Sequence, residues 1–89
     1  GEGYDRVFTA FSHTLRQAVE ELNLEGSADL SGTGNTLANR LVGNAGNNVL
    51  RGGDGDDTME GGLGNDTLVG GAGGDRHLGG DGLDTAYYL

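Results

Sequence analysis

In its 89 residues the chain has no cysteine, no proline, no tryptophan and no lysine, and its five arginines face fourteen acidic residues. Each shortage closes a route. Without cysteine there is neither a disulfide staple nor a thiolate metal site, although this alone does not identify a compartment. Without lysine there is no phosphate-binding P-loop. A formal charge of −9 argues against nucleic acid, whose phosphates call for basic side chains. No apolar run approaches the roughly 18 residues that a membrane span needs. A chain of this size permits one domain with a marginal core. What the sequence does have is glycine, 20 of them.

The glycines are periodic. From Gly34 the chain reads in nines: GNTLANRLV, GNAGNNVLR, GGDGDDTME, GGLGNDTLV, GGAGGDRHL and GGDGLDTAY. Glycine opens every unit, and the sixth place is always Asn or Asp: Asn39, Asn48, Asp57, Asp66, Asp75 and Asp84. The eighth place is apolar in Leu41, Leu50, Met59, Leu68 and Ala86. Self-similarity at a fixed period outranks local propensity as a sign of architecture and points to a stacked solenoid. Glycines at the first, second and fourth places allow positive φ and let carbonyl groups turn inward without a Cβ in the way. The sixth-place side chain adds a hard oxygen. Calcium takes roughly 6–8 oxygen ligands and mixes carboxylates with main-chain carbonyls.

These units resemble the GGxGxDxUx nonapeptides of the RTX (haemolysin-type) calcium-binding proteins, strongly over residues 34–87 and weakly before that. The resemblance implies an all-β fold, a right-handed parallel β-roll in which two units make one coil, with a degenerate N-terminal β cap. Calcium ions would then lie between turns eighteen residues apart. That arithmetic pairs Asp57 with Asp75, Asp66 with Asp84, Asn48 with Asp66, and Asn39 with Asp57. The expected metal-binding residues are those six sixth-place residues. The glycines expected to join them are Gly53, Gly55, Gly62, Gly64, Gly71, Gly73, Gly80 and Gly82, at the second and fourth places. The all-aspartate pairs should bind more tightly, because ligand charge raises calcium affinity, and the asparagine sites should be weaker or empty. With so few large inward residues, metal binding should be part of the folding free energy.

Residues 1–33 form a degenerate N-terminal capping segment in this reading, and residues 88–89 a truncated C-terminal end. The opening GEGYDRV fits the repeat from its second place, which makes Asp5 a candidate ligand. The run VFTAFSHTL, Val7 to Leu15, is rich in β-branched and aromatic residues and suits one longer strand. Residues 12–22 read either as a short helix, with Leu15, Ala18, Val19 and Leu22 at helical spacing and Ser12 as N-cap, or as strand, turn and strand, with VEELNL extended. The strand reading is preferred, followed by the lead-in Gly32 to Asn39. In either reading the apolar residues of this segment should cap the open end of the roll.

Other constellations carry less. Asp54, Asp56 and Asp57 resemble the start of an EF-hand loop, but Met59 and Asn65 stand where its glycine and glutamate belong. His13 and His77 are far apart and form no zinc motif. Ser12 and His13 are neighbours, so on a strand they point to opposite faces. Asn65-Asp66-Thr67 is formally a glycosylation sequon, but Asp66 is needed for the metal. Asp54 and Asp81, at the third place, should face solvent. In the fifth unit His77 takes the inward eighth place and Leu78 the ninth; His77 inward and partly exposed is the preferred arrangement.

No catalytic set or organic cofactor site is present, so the segment reads as a non-enzymatic calcium-binding module. The chain has neither an initiator methionine nor a signal peptide, which suits a piece of a longer protein. The RTX resemblance implies a secreted, extracellular protein exported by a type I secretion channel. The parent would be a secreted protease, lipase or polysaccharide-modifying enzyme with its catalytic domain upstream, or an adhesin or surface-layer spacer.

Overall fold

The computed structural model describes residues 6–16, 19–71, 73–80, 82 and 84–87. Among the described residues, ten short strands alternate between two parallel sheets. One sheet has the order β1-β3-β5-β7-β9 and the other β10-β8-β6-β4-β2. The strands are β1 (Arg6–Thr9), β2 (His13–Thr14), β3 (Glu21–Leu24), β4 (Ser31–Thr33), β5 (Arg40–Val42), β6 (Val49–Arg51), β7 (Thr58–Glu60), β8 (Thr67–Val69), β9 (Arg76–Leu78) and β10 (Thr85–Tyr87). Successive strands fall in opposite sheets, so each coil uses two units. This is an all-β parallel β-solenoid of stacked coils, matching a β-roll, and no helix occurs among the described residues.

The register follows the repeat. From β4 onward every strand pairs with the strand eighteen residues later: Gly32 with Leu50, Leu41 with Met59, Leu50 with Leu68, Met59 with His77, and Leu68 with Ala86. Upstream the spacing drifts. Leu22 pairs with Leu41 and His13 with Gly32, nineteen apart, whereas Val7 pairs with Leu22, fifteen apart. The drift begins where the nonapeptide pattern fades, because coil length there is no longer set by a six-residue turn and a three-residue strand.

Side chains alternate across each strand, so the middle residue of each three-residue strand faces the other sheet. Leu22, Leu41, Leu50 and Met59 are fully buried and Leu68 nearly so. Leu15 and Leu24 join them, with Val7, Val19 and Leu30 packed alongside. Each such leucine contributes about 1.5–3 kcal/mol by leaving water. Gly32 occupies an inward position without a side chain; a Cβ there would meet Leu22 Cδ2 at 2.8 Å, so its smallness gives Leu22 its place. His77 follows Met59 in its column and is half-buried, while Leu78 is exposed, so the fifth strand keeps its register without a slip. Ala86 keeps its place under Leu68 but is exposed, since β10 is the last described strand of its ladder.

One expectation for the upstream segment changes. Val7 to Leu15 is not one long strand: β1 and β2 lie in different sheets, with a bend at Ala10 and Phe11 between them. β-propensity registers the residues but not the coil, which must cross to the opposite sheet after about three residues. Phe8 and Phe11 are exposed as a result. The described residues of 12–22 contain no helix; β3 takes up the second half of the extended reading. The aliphatic residues of the segment line the interior of the continuing coils. On the outside of the first sheet, Glu21 lies between Arg6 and Arg40, and Arg40 also pairs with Glu60 at 2.6 Å. Asp5 and Asp81 lie outside the described residues.

Candidate metal centres

The turns between strands stack into two columns. One holds the described residues of the turns 16–20, 34–39, 52–57 and 70–75; the other holds those of 25–30, 43–48, 61–66 and 79–84. Within each column the sixth-place residue joins its turn to the turn before it. The N–H of Asn39 donates to Asp57 Oδ1, that of Asn48 to Asp66 Oδ1, that of Asp57 to Asp75 Oδ1, and that of Asp66 to Asp84 Oδ1. All four bonds are 2.8–2.9 Å long and each spans eighteen residues. The structure therefore brings together the four pairs expected from the sequence.

Only one oxygen of each carboxylate is used in this way. The second oxygens of Asp57, Asp66 and Asp75 are buried without a hydrogen-bond partner. Buried polar atoms are almost always satisfied, and a lone carboxylate oxygen is costly to leave unpaired. The protonation equilibria carry the same strain. Burial pushes the Asp57 carboxyl up to about 7; the N–H of Asn39 opposes the shift, and the nearby charges of Asp75 and Asp56 add to it. Asp66 is raised for the same first reason, with Asp84 adding to it. These anions lack a positive partner.

The glycines divide into two kinds. The second- and fourth-place residues Gly53, Gly55, Gly62, Gly64, Gly71, Gly73, Gly80 and Gly82 all have φ between 78° and 106°. Side chains rarely tolerate that region. The carbonyls of Gly53, Gly55, Gly62 and Gly64 face the following turn: a Cβ on Gly71 would lie 2.7 Å from Gly53 O, and one on Gly80 2.5 Å from Gly62 O. The first-place glycines do not have positive φ, contrary to expectation, and are required for another reason. A Cβ on Gly52 would come within 2.5 Å of Asp57 Oδ2, and Gly61, Gly70 and Gly79 stand in the same relation to Asp66, Asp75 and Asp84. The first place is bare so that the sixth-place carboxyl can fold over it.

Each space between aspartate turns thus offers main-chain carbonyls from one turn and carboxylate oxygens from both, a hard all-oxygen donor set with net negative charge. That composition fits calcium. It does not fit a site made of clustered side chains, and no three His, Cys, Asp or Glu side chains gather in such a cluster among the described residues. His13 in β2 and His77 in β9 belong to different sheets and to opposite ends of them.

Two sets of residues escaped the sequence reading. At the fifth place, Asp29, Asn47 and Asp56 accept from the N–H groups of Asn47, Asn65 and Gly74, each eighteen residues on. These exposed bonds form a second ladder outside the first; the recurrent Asn or Asp at that place was the available signal. At the second place of the first two units, Asn35 and Asn44 replace glycine. The Oδ1 of each accepts from the N–H two residues on, and its Nδ2 reaches main-chain carbonyls of the preceding turn.

Among the described residues no helix is long and apolar enough to cross a membrane. No curated protein and no solved structure matches the chain at a significant level. The family model of the RTX calcium-binding nonapeptide repeat does match, in four copies over residues 33–68 and 56–86. Those segments span more than half of the chain, and they cover the turns in which buried carboxylates stand over bare glycines. The chain belongs to the RTX calcium-binding nonapeptide repeat family.

Proposed function

We propose that this chain is a calcium-driven folding and stabilising module of a secreted RTX-type protein, with residues 34–87 as the calcium-binding roll and residues 1–33 as its N-terminal cap. Calcium binding itself is the property of the family. The proposal concerns which residues hold the ion and what holding it achieves. Asp57, Asp66, Asp75 and Asp84 supply the charged oxygens. The carbonyls of Gly53, Gly55, Gly62 and Gly64 complete the spaces between aspartate turns, and Gly71, Gly73, Gly80 and Gly82, bare of side chains, let the later turn approach those carbonyls. Asn39 and Asn48 border mixed spaces with one aspartate each. They should bind more weakly, because they add no charge.

The observation that carries this reading is the set of buried, unpartnered oxygens on Asp57, Asp66 and Asp75. Calcium, when bound, supplies the positive charge that these groups lack. The chain's own residues do the rest: the bare first-place glycines admit the carboxyl, and the positive-φ glycines aim the carbonyls. Unpaired carboxylates oppose closure of the coils, so the aspartate coils are unstable until the ion arrives, and ion binding becomes folding free energy. Such a switch suits export through a type I channel, unfolded at low calcium inside the cell and folded outside, at the millimolar calcium where extracellular modules commonly work.

A calcium titration followed by circular dichroism tests the reading. The β signal should rise with calcium at about 10⁻⁴–10⁻³ M. It should rise poorly with magnesium, which demands a tighter octahedron at about 2.0–2.1 Å. The same spectrum in EDTA and in calcium would overturn it.

A further inference from the structure

The two turn columns both change character at their first step, and in the same way. In the space between turns 16–20 and 34–39, Asn35 Nδ2 donates to Arg16 O at 2.6 Å and to Val19 O at 2.8 Å. Asn39 Nδ2 adds bonds of 3.0 Å to Val19 O and 3.4 Å to Glu20 O. In the space between turns 25–30 and 43–48, Asn44 Nδ2 donates to Glu25 O and to Ala28 O, both at 3.0 Å. Asn48 Nδ2 reaches Leu30 O at 3.3 Å. The two asparagine pairs lie nine residues apart in sequence, in opposite columns, and perform the same task.

Main-chain carbonyls converging on a space between turns require an electropositive partner. In the aspartate coils the second place is a bare glycine, and carboxylate oxygens remain unpaired beside those carbonyls. In the two asparagine coils the second-place side chain enters the space and presents amide hydrogens to the carbonyls. The sixth place changes with it, from a charged oxygen that would repel the carbonyls to a neutral carboxamide that donates to them. The one oxygen of each second-place carboxamide is spent within its own turn, accepting from the N–H of Leu37 or of Gly46 at 2.9 Å. The Oδ1 of each sixth-place asparagine likewise accepts from the N–H of Asn35 or Asn44 at 2.8 Å. What points into the space is nitrogen, which offers a cation no lone pair. The turn geometry differs accordingly: Gly46 lacks the positive φ of the other fourth-place glycines.

We infer that the carboxamides of Asn35 and Asn44, seconded by those of Asn39 and Asn48, are built-in substitutes for the cation, closing the first space of each turn column without calcium. The calcium dependence of the roll is thereby graded along its length. Strands β3 to β6 form a segment whose turns are closed by side-chain amides without the ion, onto which the aspartate coils dock when the ion arrives. This inference rests on the calcium reading above for the aspartate coils, but the asparagine coils can be judged separately.

The test is amide hydrogen exchange on the whole chain, in EDTA and in calcium. In EDTA the amides of β3 to β6 should exchange at least about tenfold more slowly than those of β7 to β10, since local opening free energies differ between units of a structure. Calcium should slow β7 to β10 strongly and β3 to β6 little. The double change Asn35→Gly and Asn44→Gly, which restores the consensus glycine, should erase the protection of β3 to β6 in EDTA. Ala45→Gly adds a glycine to the same turn without touching a carboxamide, and should preserve that protection. Wild-type β3 to β6 exchanging as fast as β7 to β10 in EDTA would overturn the inference, as would equal losses from Ala45→Gly and the asparagine changes. Exchange unaffected by calcium in every strand would instead overturn the calcium reading, and the asparagine variants would still decide the role of the carboxamides.

Discussion

The main-chain N–H of Asn48 donates to Asp66 Oδ1 at 2.8 Å, and the carboxyl's other oxygen, folded over Gly61, has no hydrogen-bond partner. One oxygen of Asp66 therefore serves the stacking of coils, and the other is left for an ion. The two roles can be separated by mutation.

Asp66→Asn keeps an oxygen for the Asn48 N–H and removes the buried charge. The variant should be more ordered than wild type in EDTA, yet need about tenfold more calcium for its remaining transition, since ligand charge governs affinity. Asp66→Ala loses both roles and should be the more damaging change. Asn48→Ala should shift the calcium midpoint much less than Asp66→Ala. Calcium titrations of the three variants by circular dichroism decide this, and an equal shift from Asn48→Ala would refute the ranking of sites.

Acid should act in opposite directions with and without metal. The folded-state pKa of Asp57 is raised to about 7 from 3.8, so the folded, metal-free chain binds this proton more tightly than the unfolded chain does. Its folding should gain stability as pH falls through about 7, the gain being complete near 3.8. Calcium competes with that same proton, so the calcium midpoint should rise by up to about tenfold per pH unit below 7. Dichroism in EDTA at pH 8 and pH 5, set beside calcium titrations at both, reads both signs. More β structure at pH 8 than at pH 5 in EDTA would contradict the first.

The two kinds of glycine should fail differently. Gly61→Ala puts a methyl group where Asp66 Oδ2 folds, so it should weaken calcium binding directly. Gly62→Ala meets a φ of 84° instead, costing about 1–2 kcal/mol of backbone strain. Gly62→Asn should recover part of that loss, because asparagine visits the left-handed region more readily. Gly61→Asn should recover nothing. Thermal melts at fixed calcium distinguish the two patterns.

In the core, Leu50 and Leu68 are stacked in register and almost wholly buried. Leu50→Ala should cost about 2–5 kcal/mol, a large share of the stability of any small domain. The variant should require far more calcium to fold, or fail to reach full β signal at saturation. A midpoint unchanged from wild type would place Leu50 outside the cooperative unit.

The sequence made the coil legible because the nine-residue repeat could be combined with the two units per coil that the RTX resemblance implies. Eighteen residues return the chain to the same edge, so the sixth-place pairs and the Leu41–Met59 and Leu50–Leu68 pairs follow from that combination. Upstream, where Leu22 pairs with Leu41 at nineteen and Val7 with Leu22 at fifteen, no repeat existed to count. Propensity then joined Val7 to Leu15 into one strand that the coil has to bend. The first-place glycines were visible, but the reason for them was not, since it depends on where the Asp57 carboxyl folds. Asn35 and Asn44 were visible too, as the two units that lack a second glycine, but only the neighbouring turns reveal what the carboxamides reach.

Every sixth-place side chain leans toward the turn that precedes it in sequence, never toward the one that follows. The fifth-place side chains of Asp29, Asn47 and Asp56 reach the other way, each accepting from an N–H of the turn that follows. A stack built on these two rules is polar in the sense that a filament is polar: its inner side-chain ladder runs toward the start of the chain and its outer one toward the end.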